Sequence, residues 1–213
     1  MTGTNALPWE RVPVIPVVVV EDAASAVPLA HALLAAGIDV MEITLRTAAA
    51  AEAITAVRKE VPSMVVGAGT LLTPADTERA VHAGAQFLVS PGSTAQLRGS
   101  LRHAGIPALP GIATVSEAMT ALDEGFRAVK VFPARSLGGA GFIRALASVL
   151  PELRVCPTGG IDAASAAELL ALPAVACVGG TWLTPQKEIA AGDYDRISRR
   201  AAGTLALRTP AGR

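Results

Sequence analysis

The chain has 213 residues, 51% of them hydrophobic and 17% charged, with 18 Lys plus Arg balanced by 18 Asp plus Glu. Zero net charge and the lack of any long run of one sign exclude the electrostatic footprint of a nucleic-acid binder. The apolar run VIPVVVV is far shorter than the roughly 20 residues a membrane-spanning helix needs, so a soluble protein acting on a small molecule is expected, with apolar side chains to spare for a subunit interface.

In chain order, the opening MTGTNALPWERVP lacks a basic stretch followed by a long apolar one, which predicts no secretory signal and a cytoplasmic protein. Strands are predicted at Pro13–Val20, Asp39–Thr44, Met64–Ala68, Phe87–Ser90, Pro107–Pro110, Ala128–Phe132, Arg154–Thr158 and Val175–Gly179. The stretches LLAAGIDVMEI, AVHAGAQFLVS, LRHAGIPALP and ALDEGFRAVKVF repeat one pattern: an Ala/Leu-rich segment, a glycine, a short apolar run. Gly37, Gly84, Gly105 and Gly125 therefore read as residues just past helix ends, each helix feeding a strand.

Strands that alternate with helices run parallel, and eight such units close into a (β/α)8 TIM barrel. Residues 1–213 are read as one barrel domain with a short N-terminal lead-in and a C-terminal helical tail. An open doubly wound sheet is the alternative, but no GxGxxG turn follows the first strand. Two prolines strain the scheme: Pro16 cannot donate to a ladder, and Pro28 removes a bond from a helix interior.

Side chains alternate across a strand. In VMEITLR one face carries Val40, Glu42, Thr44 and Arg46, while Met41, Ile43 and Leu45 belong under the helices. In RAVKVF the same count turns Val129 and Val131 outward and Ala128, Lys130 and Phe132 inward. An acid and an amine thus share one interior. A charge in apolar surroundings disfavours its charged form, and a lysine that yields its proton is a nucleophile. The alternative is a buried ion pair that keeps both groups charged, which is weak evidence for stability. The position of both residues near C-terminal strand ends, where barrel enzymes do their chemistry, favours catalysis.

Two diglycines follow the seventh and eighth predicted strands, in PTGGIDAASAAELL and VGGTWLTP. Gly159 and Gly160 let a ligand approach the backbone, and Gly180 leads to the hydroxyl of Thr181. These loops are the customary phosphate site of the barrel, with two tight turns as the alternative. Thr70 after VGAG and Pro91 in SPG stand at the same mouth as substrate-contact candidates, or as turn residues.

The segment RSLGGAG is glycine-rich enough for a mobile lid, and Arg135 beside it reads as a solvated charge. His31, His82 and His103 lie in predicted helices without ligand spacing, so no metal is predicted. Trp182 reads as packing. Cys156 and Cys177 sit in strand-like runs and read as buried, inert thiols of a reducing compartment.

The motifs EITLRT, VGAGT, SPG, VKVFPA, PTGGI and VGGTWL, in this order from about Val12 to Tyr194, resemble the 2-keto-3-deoxy-6-phosphogluconate aldolase family of the Entner-Doudoroff pathway. The resemblance implies a class I enzyme without metal or other cofactor. It implies that Lys130 forms a Schiff base and that Glu42 transfers protons. It further implies that Arg46 and Thr70 hold the pyruvyl carboxylate, that Phe132 is the aromatic beside the lysine, and that Thr158, Gly159, Gly160 and Thr181 make the phosphate-end contacts. Thr181 stands where the family commonly has serine, and the 135–141 loop departs from the family pattern. The expected substrate is a phosphorylated keto acid, with 2-keto-4-hydroxyglutarate as a second one, and the expected assembly is a homotrimer. The rivals are a 2-keto-3-deoxy-6-phosphogalactonate aldolase, a phosphosugar isomerase with Glu42 as base, and a noncatalytic phosphate-binding barrel.

Overall fold

Neighbouring parallel strands need a long return connection, and a helix supplies it while covering the outer face of the sheet. The computed structural model of the chain, which describes residues 7–207, is built from that unit. After α1 (Pro8–Arg11) come β1 (Val14–Val18), α2 (Ala26–Ala35), β2 (Val40–Thr44), α3 (Ala50–Glu60), β3 (Val65–Gly69) and α4 (Pro74–His82). The alternation continues through β4 (Leu88–Val89), α5 (Ala95–His103), β5 (Ala108–Leu109), β6 (Gly111–Ile112), α6 (Val115–Asp123), β7 (Ala128–Val131) and α7 (Ala140–Val149). Then follow β8 (Arg154–Pro157), α8 (Ala163–Leu170), β9 (Val178–Gly180), α9 (Gln186–Ala190) and α10 (Tyr194–Thr204). The outermost parts of the predicted lead-in and tail lie outside the described residues.

All ladders are parallel, in the orders β5-β4-β3-β2-β1-β9 and β6-β7-β8. The bridges Val155↔Val175 and Thr158↔Gly179 join the β8 and β9 sides. The chain itself runs from β5 to β6 through Pro110, and the sheet closes into a (β/α)8 barrel. The fifth predicted strand, Pro107–Pro110, pairs as β5, and past Pro110, which has no N–H, the chain resumes as β6 beyond the predicted end. The fourth pairs only over Leu88–Val89, and the eighth shifts to Val178–Gly180.

Both troublesome prolines find their reason. Helix α2 starts at Ala26, so Pro28 falls in the first turn, where its missing N–H would have had no partner. Pro16 stays inside β1, at the point where pairing changes sides: Val14, Ile15 and Pro16 face β9, whereas Val17 and Val18 face β2.

Of the outward set read from the sequence, Met41, Ile43, Val129 and Val131 are fully covered by the helices, and Leu45, just past β2, is half-buried. The helices answer with stripes at helical spacing: Ala26, Leu29, Ala30 and Leu33 on α2, and Ala50, Ala53, Ile54 and Val57 on α3. No described helix is long and apolar enough to cross a membrane.

The tail is fastened by charge. Buried Glu188 on α9 accepts two hydrogen bonds from Arg200 on α10, at 2.7 and 2.8 Å, and the same guanidinium donates to the Leu183 carbonyl at 3.0 Å. This clasp ties α10 to the segment that follows β9. Arg200 holds the Glu188 carboxyl below its ordinary value of 4.5, chiefly through these hydrogen bonds. A depressed carboxyl stabilises the fold above its unfolded value and loses that contribution as pH falls through the folded one. Glu188→Gln is therefore expected to flatten the acid limb of the stability profile, measured by urea unfolding between about pH 3 and pH 7.

Candidate active site

Strands β2 and β7 deliver the two central groups to the barrel interior. Glu42 shares a level with Val17 and Gly67, and Lys130 with Gly111 and Cys156, because in-register residues of parallel strands point the same way. The two side chains meet: Lys130 Nζ donates to Glu42 Oε1 at 3.3 Å, and each residue is only 4% exposed. Lys130 Nζ also lies 5.7 Å from the centre of the Phe132 ring, within cation–π range.

The ion-pair and catalytic alternatives converge on this contact. A buried pair gains Coulomb energy but has given up hydration, so its net contribution to stability is small or negative. The same 3.3 Å spacing puts a carboxylate within proton-transfer reach of whatever is bonded to Nζ.

Glu42 fits because β3 withdraws. A Cβ built on Gly69 would stand 1.9 Å from Glu42 Oε1, so only glycine leaves room for the carboxylate. One level below, the Phe87 ring occupies the space a side chain on Gly67 would need, at 2.4 Å. The EITLRT segment is also anchored by hydroxyls. Thr44 donates to the Val18 carbonyl at 2.9 Å and Thr47 to that of Val20 at 2.6 Å, fixing the end of β2 against β1.

Around this pair the remaining candidates gather at C-terminal strand ends. Arg46 is exposed just past β2, and half-buried Thr70 follows β3 with a left-handed φ of 60°, uncommon for a residue with a side chain. Half-buried Pro91 follows β4, its main chain pressed against Gly111. Ser90 Oγ accepts from the Gly111 N–H at 3.1 Å, and Ser93 Oγ donates to the Gly111 carbonyl at 3.0 Å. Buried Arg98 donates to the Ser93 carbonyl at 2.6 Å and to Glu124 at 2.9 Å, so this loop is held from behind. Phe132 directly follows β7, and its ring lies against Gly159.

At the other side of the mouth, buried Thr158 packs its hydroxyl where a side chain on Gly179 would stand. Gly159 and Gly160 both have positive φ, 99° and 73°. Gly180 ends β9 beneath the Trp182 ring, and Thr181 is exposed beside it. Trp182 is thus packing, as read from the sequence. The segment RSLGGAG folds as consecutive turns entering α7, with Leu137, Gly138 and Gly139 donating to the carbonyls of Pro133, Arg135 and Ala134.

His31, His82 and His103 are all exposed. Cys156 and Cys177 are buried thiols inside the barrel, their sulfurs 3.2 Å apart. Sequence reasoning missed Gly69, Ser90, Thr47 and Arg98, and turned Thr44 inward without giving it a role. VGAGT carried the signal for Gly69, since a glycine inside a strand marks close approach.

A family model described as KDPG and KHG aldolase matches residues 8–200. The KHG/KDPG aldolase of Escherichia coli K12 is 48% identical over 189 residues, covering 89% of this chain and 89% of its own. The crystal structure of KDPG aldolase from Legionella pneumophila, with pyruvate captured as a covalent carbinolamine intermediate, has a TM-score of 0.91 at 40% identity, covering 95% of this chain and 100% of its own. That of the Zymomonas mobilis 2-keto-3-deoxy-6-phosphogluconate aldolase with 3-phosphoglycerate has a TM-score of 0.89 at 42% identity, covering 97% of each chain. An inward lysine paired with an acid, at the mouth of a barrel matched along nearly its whole length, leaves one conclusion: the chain belongs to the KDPG and KHG aldolase family.

Proposed function

We propose that the protein is a class I aldolase that cleaves 2-keto-3-deoxy-6-phosphogluconate to pyruvate and glyceraldehyde 3-phosphate, with 2-keto-4-hydroxyglutarate as a second substrate. The observation that carries this reading is the buried contact between Lys130 and Glu42. Family membership and the carbinolamine trapped in the Legionella relative support it.

Lys130 Nζ, as the free amine, attacks the C2 ketone to give a carbinolamine, which loses water to become a protonated imine. Glu42, through a water, takes the proton of the C4 hydroxyl. The C3–C4 bond breaks, its electrons pass to the imine nitrogen, and C4 leaves as the aldehyde of glyceraldehyde 3-phosphate. Glu42 returns a proton to C3 of the enamine, and water then hydrolyses the imine, releasing pyruvate and restoring Lys130. Arg46 and Thr70 hold the carboxylate, with Pro91 and Phe132 walling the pyruvyl end. Thr158, Gly159, Gly160, Gly180 and Thr181 hold the phosphate. Fixing both ends converts binding into orientation at the reacting carbon.

We also infer a single-domain chain that assembles as a homotrimer in the cytoplasm. The exposed apolar side chains Leu72, Val81, Val115, Met119 and Val149 support a covered surface.

Three outcomes are expected. Borohydride reduction in the presence of pyruvate adds one reduced pyruvyl group at Lys130, read by peptide mass spectrometry, and Lys130→Met abolishes both the label and the cleavage; a label elsewhere, or none, rejects the Schiff-base role. Gly69→Ala displaces the Glu42 carboxylate and lowers kcat by about a hundredfold while circular dichroism stays native. Light scattering on the purified protein reads the mass of three chains.

A further inference from the structure

Gly160 is the exposed half of the diglycine, and it does not stand alone. The segment after β7 is stitched to it: Ala134 N–H donates to the Thr158 carbonyl at 2.8 Å, and Arg135 N–H to the Gly159 carbonyl at 3.1 Å. The Arg135 side chain then lies over Gly160. A Cβ there would meet Arg135 Cβ, Cδ and Cγ at 2.8, 3.0 and 3.5 Å, and Nη1 is 3.5 Å from the Gly160 carbonyl oxygen.

The guanidinium remains in solvent, and among the described residues Arg135 forms no salt bridge. The acid nearest in effect is Asp162. Its carboxyl is held below the usual range chiefly by the Ser165 N–H and then by the Ser165 hydroxyl, with Arg135 as a lesser influence. Asp162 is thus engaged with the start of α8, and the arginine charge stays available to a third group.

A diglycine offers a phosphate only neutral N–H donors, which bind its shape as much as its charge. A phosphate monoester carries roughly −1.5 to −2 charge at neutral pH, and a cation within the Debye length of about 8 Å adds attraction that an uncharged hydroxyl would not feel. We propose that Arg135 is a specificity-determining residue, which favours phosphorylated over unphosphorylated substrates by setting a cation against the phosphate-binding diglycine. This rests on the aldolase reading and on the phosphate end lying at Gly159 and Gly160. It gives a role to a charge that the sequence reads, and the structure shows, as solvated.

The condensation direction separates the parts, because pyruvate can be paired with glyceraldehyde 3-phosphate or with glyceraldehyde. In low-salt buffer, Arg135→Gln raises KM for the phosphorylated aldehyde by about twofold to fivefold, the size of one solvent-screened charge contact. Arg135→Glu raises it further, and Arg135→Lys stays close to wild type. The differences shrink as salt is added, whereas KM for pyruvate and the rate with unphosphorylated glyceraldehyde do not change. An unchanged KM in Arg135→Gln overturns the inference. So does an equal loss with both aldehydes, or a rise indifferent to salt, either of which makes the side chain a prop for the loop. A wild-type protein that condenses neither aldehyde overturns the aldolase reading and this inference with it.

Discussion

An amine and a carboxylate facing each other inside a largely apolar cylinder set the terms for everything around them. Lys130 and Glu42 come from strands on opposite sides of the barrel, 88 residues apart in sequence, and touch at 3.3 Å. Neither has much water. Each is therefore the other's principal compensation for lost hydration, and such a pair adds little or nothing to stability.

Room for the pair is made by subtraction. Gly69 yields to the Glu42 carboxylate, Gly67 to the Phe87 ring, and Gly111 to the main chain of Pro91. A barrel interior is normally filled by branched side chains in layers. Here the layers thin out toward the C-terminal mouth, and small residues there let polar groups converge. Hydroxyls do the fastening: Thr44 and Thr47 hold the β2 end, while Ser90 and Ser93 hold the turn after β4.

The alternation of helix, glycine and strand carried the architecture, because each unit announces itself locally. The period of two on VMEITLR and RAVKVF was enough to turn Glu42 and Lys130 inward. Other features depend on what lies across the barrel. A glycine in VGAGT cannot say which side chain it makes way for. The left-handed backbone of Thr70 is not written in a threonine. Pro110 read as the end of a strand, but is its middle, because β6 resumes on the far side. Nothing local in the sequence marks Arg98, and only the packing of α5 against the β4 loop brings it to the Ser93 carbonyl.

The barrel closes where its first strand meets its last, Val14 beside Val178. No local segment holds that seam, since the chain must gather most of its length before β1 and β9 can pair, and closing so long a loop is entropically slow. The buried pair of Lys130 and Glu42 shares this fate. A nascent chain carrying β2 alone has an acid without its amine, and one that has reached β7 still lacks the final wall. The contact between Lys130 and Glu42 and the wall around it are thus complete only in the finished cylinder.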